Sequence, residues 1–432
     1  MNMKKNIIKS LIIINFIAFS ATVYAEAPVP QIPGVQTLFL LNQAINIAVE
    51  RNPVLQAELS RTGISKAEIT GLKTVANPYF TFNSSIPEGI YSFGLQKIIQ
   101  LGNTGKYRKN IASIRREIDL LEVQRKILDV RQETRDAYIQ YFASRKKLSV
   151  YSEIYDKLKN YVEHTRKNPP KNKFLDLLMA ENELISLANN IEVTKYEIIK
   201  AQNHLEEIVG VDFDKEPALQ EPTELPDLLK NLTGENLSEC SKQKIAKLTQ
   251  IALNCRPAAI EANKNIELSR NQYKLAQLGR IPLVILEAGA EIDNNNDEPE
   301  QENEVNAFIN GNIELPIFDR HQGPVDQALA ETEFNIEQKK SIDDNIAHEV
   351  KNAYTALAAN KERILRYQNS LLPKAEELNK EAIKNYKNAN LTASEFLRAE
   401  RVYIDTQLAY LDALVDFQTA ISELERAIGV QL

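Results

Sequence analysis

The chain has 432 residues, a formal net charge of −7, only 14 Gly and no Trp. Such a charge argues against a nucleic-acid partner, which calls for a basic face. Long stretches rich in Ala, Leu, Ile, Glu, Lys, Asn and Gln argue against two or three compact domains and for long helices.

The first residues read as an address. Lys4 and Lys5 precede an apolar run from Leu11 to Phe19, and Val23-Tyr24-Ala25 places small residues where a signal peptidase reads. This order marks residues 1–25 as a secretory signal peptide, and the apolar run is too short to span a bilayer. A retained N-terminal anchor is the alternative. No cysteine directly follows the run, so a lipoprotein anchor is not expected. No later segment approaches the ~18 consecutive apolar residues of a transmembrane helix, so any membrane crossing falls to strands. Cys240 and Cys255 are the only cysteines. An oxidising compartment permits a bridge, but a straight helix between them would hold its ends about 20 Å apart.

The chain is written twice. Asn52-Pro53 recurs as Arg256-Pro257, and Pro78 before Tyr79-Phe80-Thr81-Phe82 recurs as Pro282 before Leu283-Val284-Ile285-Leu286, both offset by 204. Ala137-Tyr138 and Tyr151 recur as Ala353-Tyr354 and Tyr367, offset by 216. Ala180-Glu181 matches Ala399-Glu400, and Leu205 to Gly210-Val211 matches Leu424 to Gly429-Val430, offset by 219. The larger step in offset falls in a polar insert of the second copy and the smaller is expected in a turn. The resulting organisation is a first repeat over 26–211, a Pro-containing linker over 212–236 and a second repeat over 237–432. Each repeat opens with a short helix (37–51, 241–254) and a second helix ending near Val75 or Gly279. Two strands, a very long helix, a polar turn and another helix follow.

From Leu120, residues seven apart read Leu120, Ile127, Thr134, Tyr141, Leu148, Tyr155 and Val162. A second seam runs Val123, Val130, Ala137, Ser144, Tyr151 and Leu158. A seven-residue period held that long predicts helices packed in a supercoil. Leu357, Ile364, Leu371 and Leu378 carry it in the second copy. Beyond the turns it continues through Leu177, Leu184, Ile191, Ile198 and Leu205, and through Phe396, Tyr403, Tyr410, Phe417 and Leu424. A helix from about Gly105 to Arg166 would run roughly 90 Å.

The strands alternate. Tyr91, Phe93, Leu95, Ile99 and Leu101 share one face, against Ser92, Gly94, Gln96 and Gln100. In the second copy Ala307, Ile309, Gly311, Ile313, Leu315 and Ile317 oppose Asn306, Asn310, Asn312 and Glu314. Apolar-out, polar-in alternation over about ten residues is the pattern of an outer-membrane barrel strand, and a soluble hairpin beside a bundle is the bland alternative. Four strands cannot close a barrel, and open edges are not tolerated in lipid. Two copies would supply eight strands around a filled interior, and three would supply twelve and leave a lumen.

Together these features resemble the TolC-type outer-membrane factor family over essentially the whole mature chain. Gly94-Leu95-Gln96-Lys97-Ile98-Ile99-Gln100-Leu101-Gly102, followed by Gly105-Lys106-Tyr107-Arg108, is similar to the strand-to-helix segment of its heavy-metal efflux (CzcC-like) branch. It departs from that segment at Asn103, Thr104 and Tyr107. The resemblance implies a mainly α fold with a small β part: a long coiled-coil helical barrel plus four transmembrane strands per chain, completed as a 12-stranded barrel in a homotrimer. It implies a passive efflux or type I secretion conduit in the outer membrane and periplasm, whose partners are outer-membrane lipid, a periplasmic adaptor and an inner-membrane transporter. Gly102, Gly105, Lys106, Arg108, Pro316 and Gly323 would form the strand-to-helix junctions. Arg166, Lys167, Asn168, Lys387, Asn388, Asn390 and Leu391 would form the adaptor-contacting tip. Glu376, Glu377 and Glu381 are candidates for a carboxylate ring at the aperture, or simply the wet face of a coiled coil. Heavy-metal cations, drugs and proteins all stand as possible cargo.

The insert from Asp293 to Glu304 holds six carboxylates and reads as a solvated extracellular loop. No nucleophile elbow, P-loop or dinucleotide fingerprint is present in the sequence, and His348-Glu349 has Asn352 where a zinc-protease motif needs its second histidine. The chemistry expected is therefore no catalysis, no metal site and no cofactor. The competing reading is a periplasmic coiled-coil adaptor without a pore.

Overall fold

The computed structural model describes residues 38–72, 76–85, 89–167, 174–213, 218–219, 242–293, 304–387 and 391–430. The expected export segment, Cys240, most of the linker and residues 294–303 of the acidic insert lie outside the described residues. A two-residue β1 (Leu38–Phe39) precedes α1 (Leu41–Arg51), α2 (Pro53–Gly71), β2 (Tyr79–Ser85), β3 (Ile90–Gln100), α3 (Thr104–Lys167) and α4 (Phe174–Val209). After β4 (Ala218–Leu219), which pairs in parallel with β1, the order recurs. It runs α5 (Lys242–Cys255), α6 (Pro257–Leu278), β5 (Leu283–Asp293), β6 (Glu304–Ile313), α7 (Gln322–Arg366), a π-helical turn (Tyr367–Leu371), α8 (Leu372–Lys387) and α9 (Ala393–Ile428). The 64 residues of α3 make a rod of roughly 95 Å. The first-copy α2 stops at Gly71, short of the expected Val75.

The repeated dipeptides lock each copy at its foot. Proline suits the first helical position because its missing N–H is one that no turn would satisfy. Pro53 therefore starts α2 and Pro257 starts α6, each forcing a kink from the preceding helix. Buried Asn52 caps α2, accepting from Val54 N at 3.0 Å and Leu55 N at 3.2 Å, and it donates to Ile208 O at 3.3 Å. Gly210 and Gly429 end α4 and α9 in the left-handed region, at φ 69° and 73°. Gly429 packs so tightly on the kink of its own copy that a Cβ would stand 2.4 Å from Arg256 Cα. Gly210 leaves 3.5 Å to Arg51. The pairs recur in sequence because they touch in space.

The heptad seams are the core, except at Leu120, which is 42% exposed while Leu121 beside it is buried. Thr134, Tyr141, Val123, Val130, Ala137, Tyr151, Leu158 and Val162 of α3 are buried, as are Leu205 of α4 and Tyr410, Phe417 and Leu424 of α9. Buried Glu425 of α9 takes Arg131 at 2.9 Å and Arg135 at 3.0 Å from α3, tying the two copies together. Loss of one partner from such a pair strands a buried charge.

The second long helix departs from the expected pattern. Leu357 and Ile364 are fully buried, whereas Leu371 and Leu378 are 46% and 44% exposed. The π turn inserts a residue into the helical ladder and rotates everything beyond it. Ala375, Asn379 and Ala382 take the core instead. The smaller growth in offset also lies in the helix rather than in the turn. The arm from Tyr367 to Lys387 is four residues longer than that from Tyr151 to Lys167, while the following segment shortens by one, from 168–173 to 388–392. Inserting four residues into a seven-residue period is a stutter, which the π turn helps absorb.

The remaining strands form one antiparallel sheet in the order β2-β3-β5-β6. Each copy contributes a hairpin, and β3 joins β5 from Ile90↔Asp293 to Gln100↔Leu283. Its outer strands are β2 and β6.

Candidate functional site: an open sheet and two hairpin ends

Because side chains alternate, strand register sorts the sheet into two chemically distinct faces. One carries rows such as Phe80-Leu95-Ala288-Ile309, Phe82-Phe93-Ala290-Ala307 and Ile99-Val284-Ile313. Phe80 is 69% exposed and Ile309 84%, so this apolar face is bare. The opposite face carries Tyr79-Gln96-Glu287-Asn310 and Asn83-Ser92-Glu291-Asn306. Thr81 donates to Glu287 there. Two facing glycines hold the hairpins together. A Cβ on Gly289 would stand 2.0 Å from Phe93 O, and one on Gly94 would strike Thr81 and Glu287.

At the strand-to-helix junctions, Gly102 takes φ 84° and a Cβ there would meet Ile281 at 3.1 Å. Lys106 donates its N–H to Asn103 O in the first turn of α3, and Arg108 follows on that helix. Gly105 and Gly323 have open space where a Cβ would stand, so sterics do not demand glycine at either. Pro316 lies just past β6, between Leu315 and Ile317, which are 69% and 60% exposed. His321, outside every expected junction residue, precedes α7 at φ 56°. Its ring lies over Gly279, where a Cβ would be 2.1 Å away. No periodicity signals that contact.

The two helical hairpins, α3/α4 and α8/α9, end together. Tyr161 of α3 packs edge-on to Tyr386 of α8 at 4.8 Å, and Tyr386 lies 4.8 Å from Phe396 of α9. Of the expected tip residues, Arg166 reaches back to Glu181 at 2.5 Å and Lys167 is exposed. Leu391 packs on Ala382, Phe396 and Ala399. Lys387 ends α8, while Asn168, Asn388 and Asn390 lie outside the described residues. Thr392 and Glu395 form a capping box that starts α9, and the bonds from Thr392 hold the Glu395 carboxyl below its ordinary pKa. Glu376, Glu377 and Glu381 are exposed on α8, with Lys380 3.8 Å from Glu376 and Lys384 3.4 Å from Glu381.

Among the described residues no helix is long and apolar enough to cross a membrane. Residues 248–430 match the family described as Outer membrane efflux protein. No curated protein matches the sequence. The fold is similar to that of the open-state MtrE outer membrane channel of Neisseria gonorrhoeae, with TM-score 0.71 and 16% identity, over 90% of this chain and 89% of that one. It is also similar to the outer-membrane channel OprN, with TM-score 0.69 and 15% identity, over 90% of each chain. For CusC, a protein described by its transmembrane channel formation, the TM-score is 0.64 at 18% identity, over 94% of this chain and 99% of that one. Residues 248–430 thus resemble the outer membrane efflux protein family in sequence, and the chain as a whole has the fold of the outer-membrane channels MtrE and OprN.

Proposed function

We propose that three copies of this chain close into one passive export conduit, a 12-stranded barrel in the outer membrane continued by a helical tunnel across the periplasm. The observation that carries this reading is the four-stranded sheet, apolar on one bare face, polar on the other and unclosed within one chain. Lipid on the first face and a watery lumen on the second satisfy both. Pairing β2 of one chain with β6 of the next removes the edges that a bilayer forbids. In this reading residues 1–25 direct export, and two repeats, 26–211 and 237–432, are joined by the linker 212–236.

The ends of the hairpins, at Arg166, Lys167, Asn168, Lys387, Asn388, Asn390 and Leu391, are the docking tip for a periplasmic adaptor that recruits an inner-membrane transporter. Gly102, Gly105, Lys106, Arg108, Pro316 and Gly323 turn strands into tunnel helices. Glu376, Glu377 and Glu381, repeated by threefold symmetry, ring the aperture and favour cations. Heavy-metal cations are the cargo that best suits both this ring and the segment from Gly94 to Arg108. Amine-reactive crosslinking of the chain in outer membranes tests closure. It should give a ladder ending at a covalent trimer, and a chain that stays monomeric contradicts the ring.

A further inference from the structure

Glu400 of α9 is 5% exposed, and neither of its carboxylate oxygens has a hydrogen-bond partner. It lines a small cavity between α3, α4 and α9 with Lys157, Leu158, Leu187 and Arg401. Asn379 of α8 is 4% exposed, and its Oδ1 is also without a partner. Asn379 lies one turn before Ala382 and Glu400 directly follows Ala399, where α8 packs on α9 through Ala382, Phe396 and Ala399. The rotation beyond the π turn is what puts Asn379, rather than Leu378, in the core. The region thus buries three acceptor oxygens and leaves them without a donor. An ionised carboxylate offers none, whereas a protonated one carries an O–H.

The charged groups around Glu400 are engaged elsewhere. On α3, Lys157 is held by Glu153 at 2.7 Å. On α4, Glu183 pairs with Arg401 of α9 at 3.2 Å. On α8, Glu376 pairs with Lys380. Tyr403, on α9 itself, feels Glu153, Lys157 and Glu376. In the first copy the matching Glu181 has Arg166 as its partner; Glu400 has no such arginine bond.

We propose that Glu400 is a proton-binding site that holds the α8/α9 hairpin against α3 and α4. Protonated, the carboxyl stays in the cavity. Ionised, it leaves the cavity, and the hairpin end loosens as one proton passes to solvent. Burial pushes the Glu400 carboxyl above its ordinary pKa, the nearby Lys157 opposes that, and Glu153 adds to it. A carboxyl with a raised pKa in the packed state is neutral in both states in strong acid. As pH rises above the ordinary glutamate value only the loosened state ionises freely. Packing therefore weakens until the pH passes the raised pKa, by at most about tenfold per pH unit for one proton.

Hydrogen exchange of the full chain in detergent micelles, corrected for the intrinsic pH dependence of exchange, tests this. Peptides of α8 and the start of α9 should lose protection, relative to the ends of α3 and α4, as pH rises from 5 to 8. Glu400→Gln, neutral and of the same shape, should hold the acid level of protection throughout. Lys157→Met should deepen the loss and carry its end to higher pH, with its onset unchanged. The proposal is overturned if Glu400→Gln follows the pH dependence of the unmodified chain, if it is less protected at every pH, or if Lys157→Met leaves the depth and the end of the loss unchanged. The readout does not involve conduction, so failure leaves the channel reading standing.

Discussion

The two hairpins share one ancestral pattern yet hold their distal ends differently. In the first, α3 runs unbroken for 64 residues, and its end is braced to α4 by an exposed pair, Arg166 and Glu181. In the second, a π turn divides the arm, and the core beyond it contains Asn379 and Glu400 with unpartnered oxygens. Duplication gave both the same heptads, and an insertion of four residues changed the register of one. The first hairpin is built as a strut. The second combines a rigid foot with an end whose packing depends on a buried carboxyl.

The register change is the largest difference between the two hairpins. Ile364→Ala, proximal to the π turn, should cost about 2–5 kcal/mol in denaturant unfolding of the solubilised monomer. Leu378→Ala, on the same nominal heptad seam but distal to the turn, should stay within about 0.5 kcal/mol. Equal costs would mean that the seam runs straight through. At the feet of the two copies the contrast is smaller. Gly429→Ala combines a left-handed backbone with a clash against Arg256, and should cost roughly 2–4 kcal/mol. Gly210→Ala meets only the backbone penalty, about 1 kcal/mol, and thermal melts of the two variants should separate accordingly.

The regular parts of this fold were legible in the sequence because burial repeats. The two seams of α3, the strand alternation around Phe93 and Ile309, and the element order all follow from periodicity. Residues 367–371, Tyr-Gln-Asn-Ser-Leu, carry no proline or glycine to announce a π turn, so Leu371 and Leu378 read as core. The contact of His321 with Gly279 depends on a single positive φ that composition does not encode. Glu400 reads as an ordinary helical glutamate, because its burial comes from α3 and α4, more than two hundred residues earlier. The expected tip and junction residues lie between regular elements, where no burial period encodes a binding partner.

Planar-bilayer recording of the purified chain is the direct test of a trimeric conduit. Such a conduit should give long-lived, stepwise conductance that favours cations over anions. A folded protein that inserts into lipid without conducting, or one that remains a soluble monomer, would contradict it.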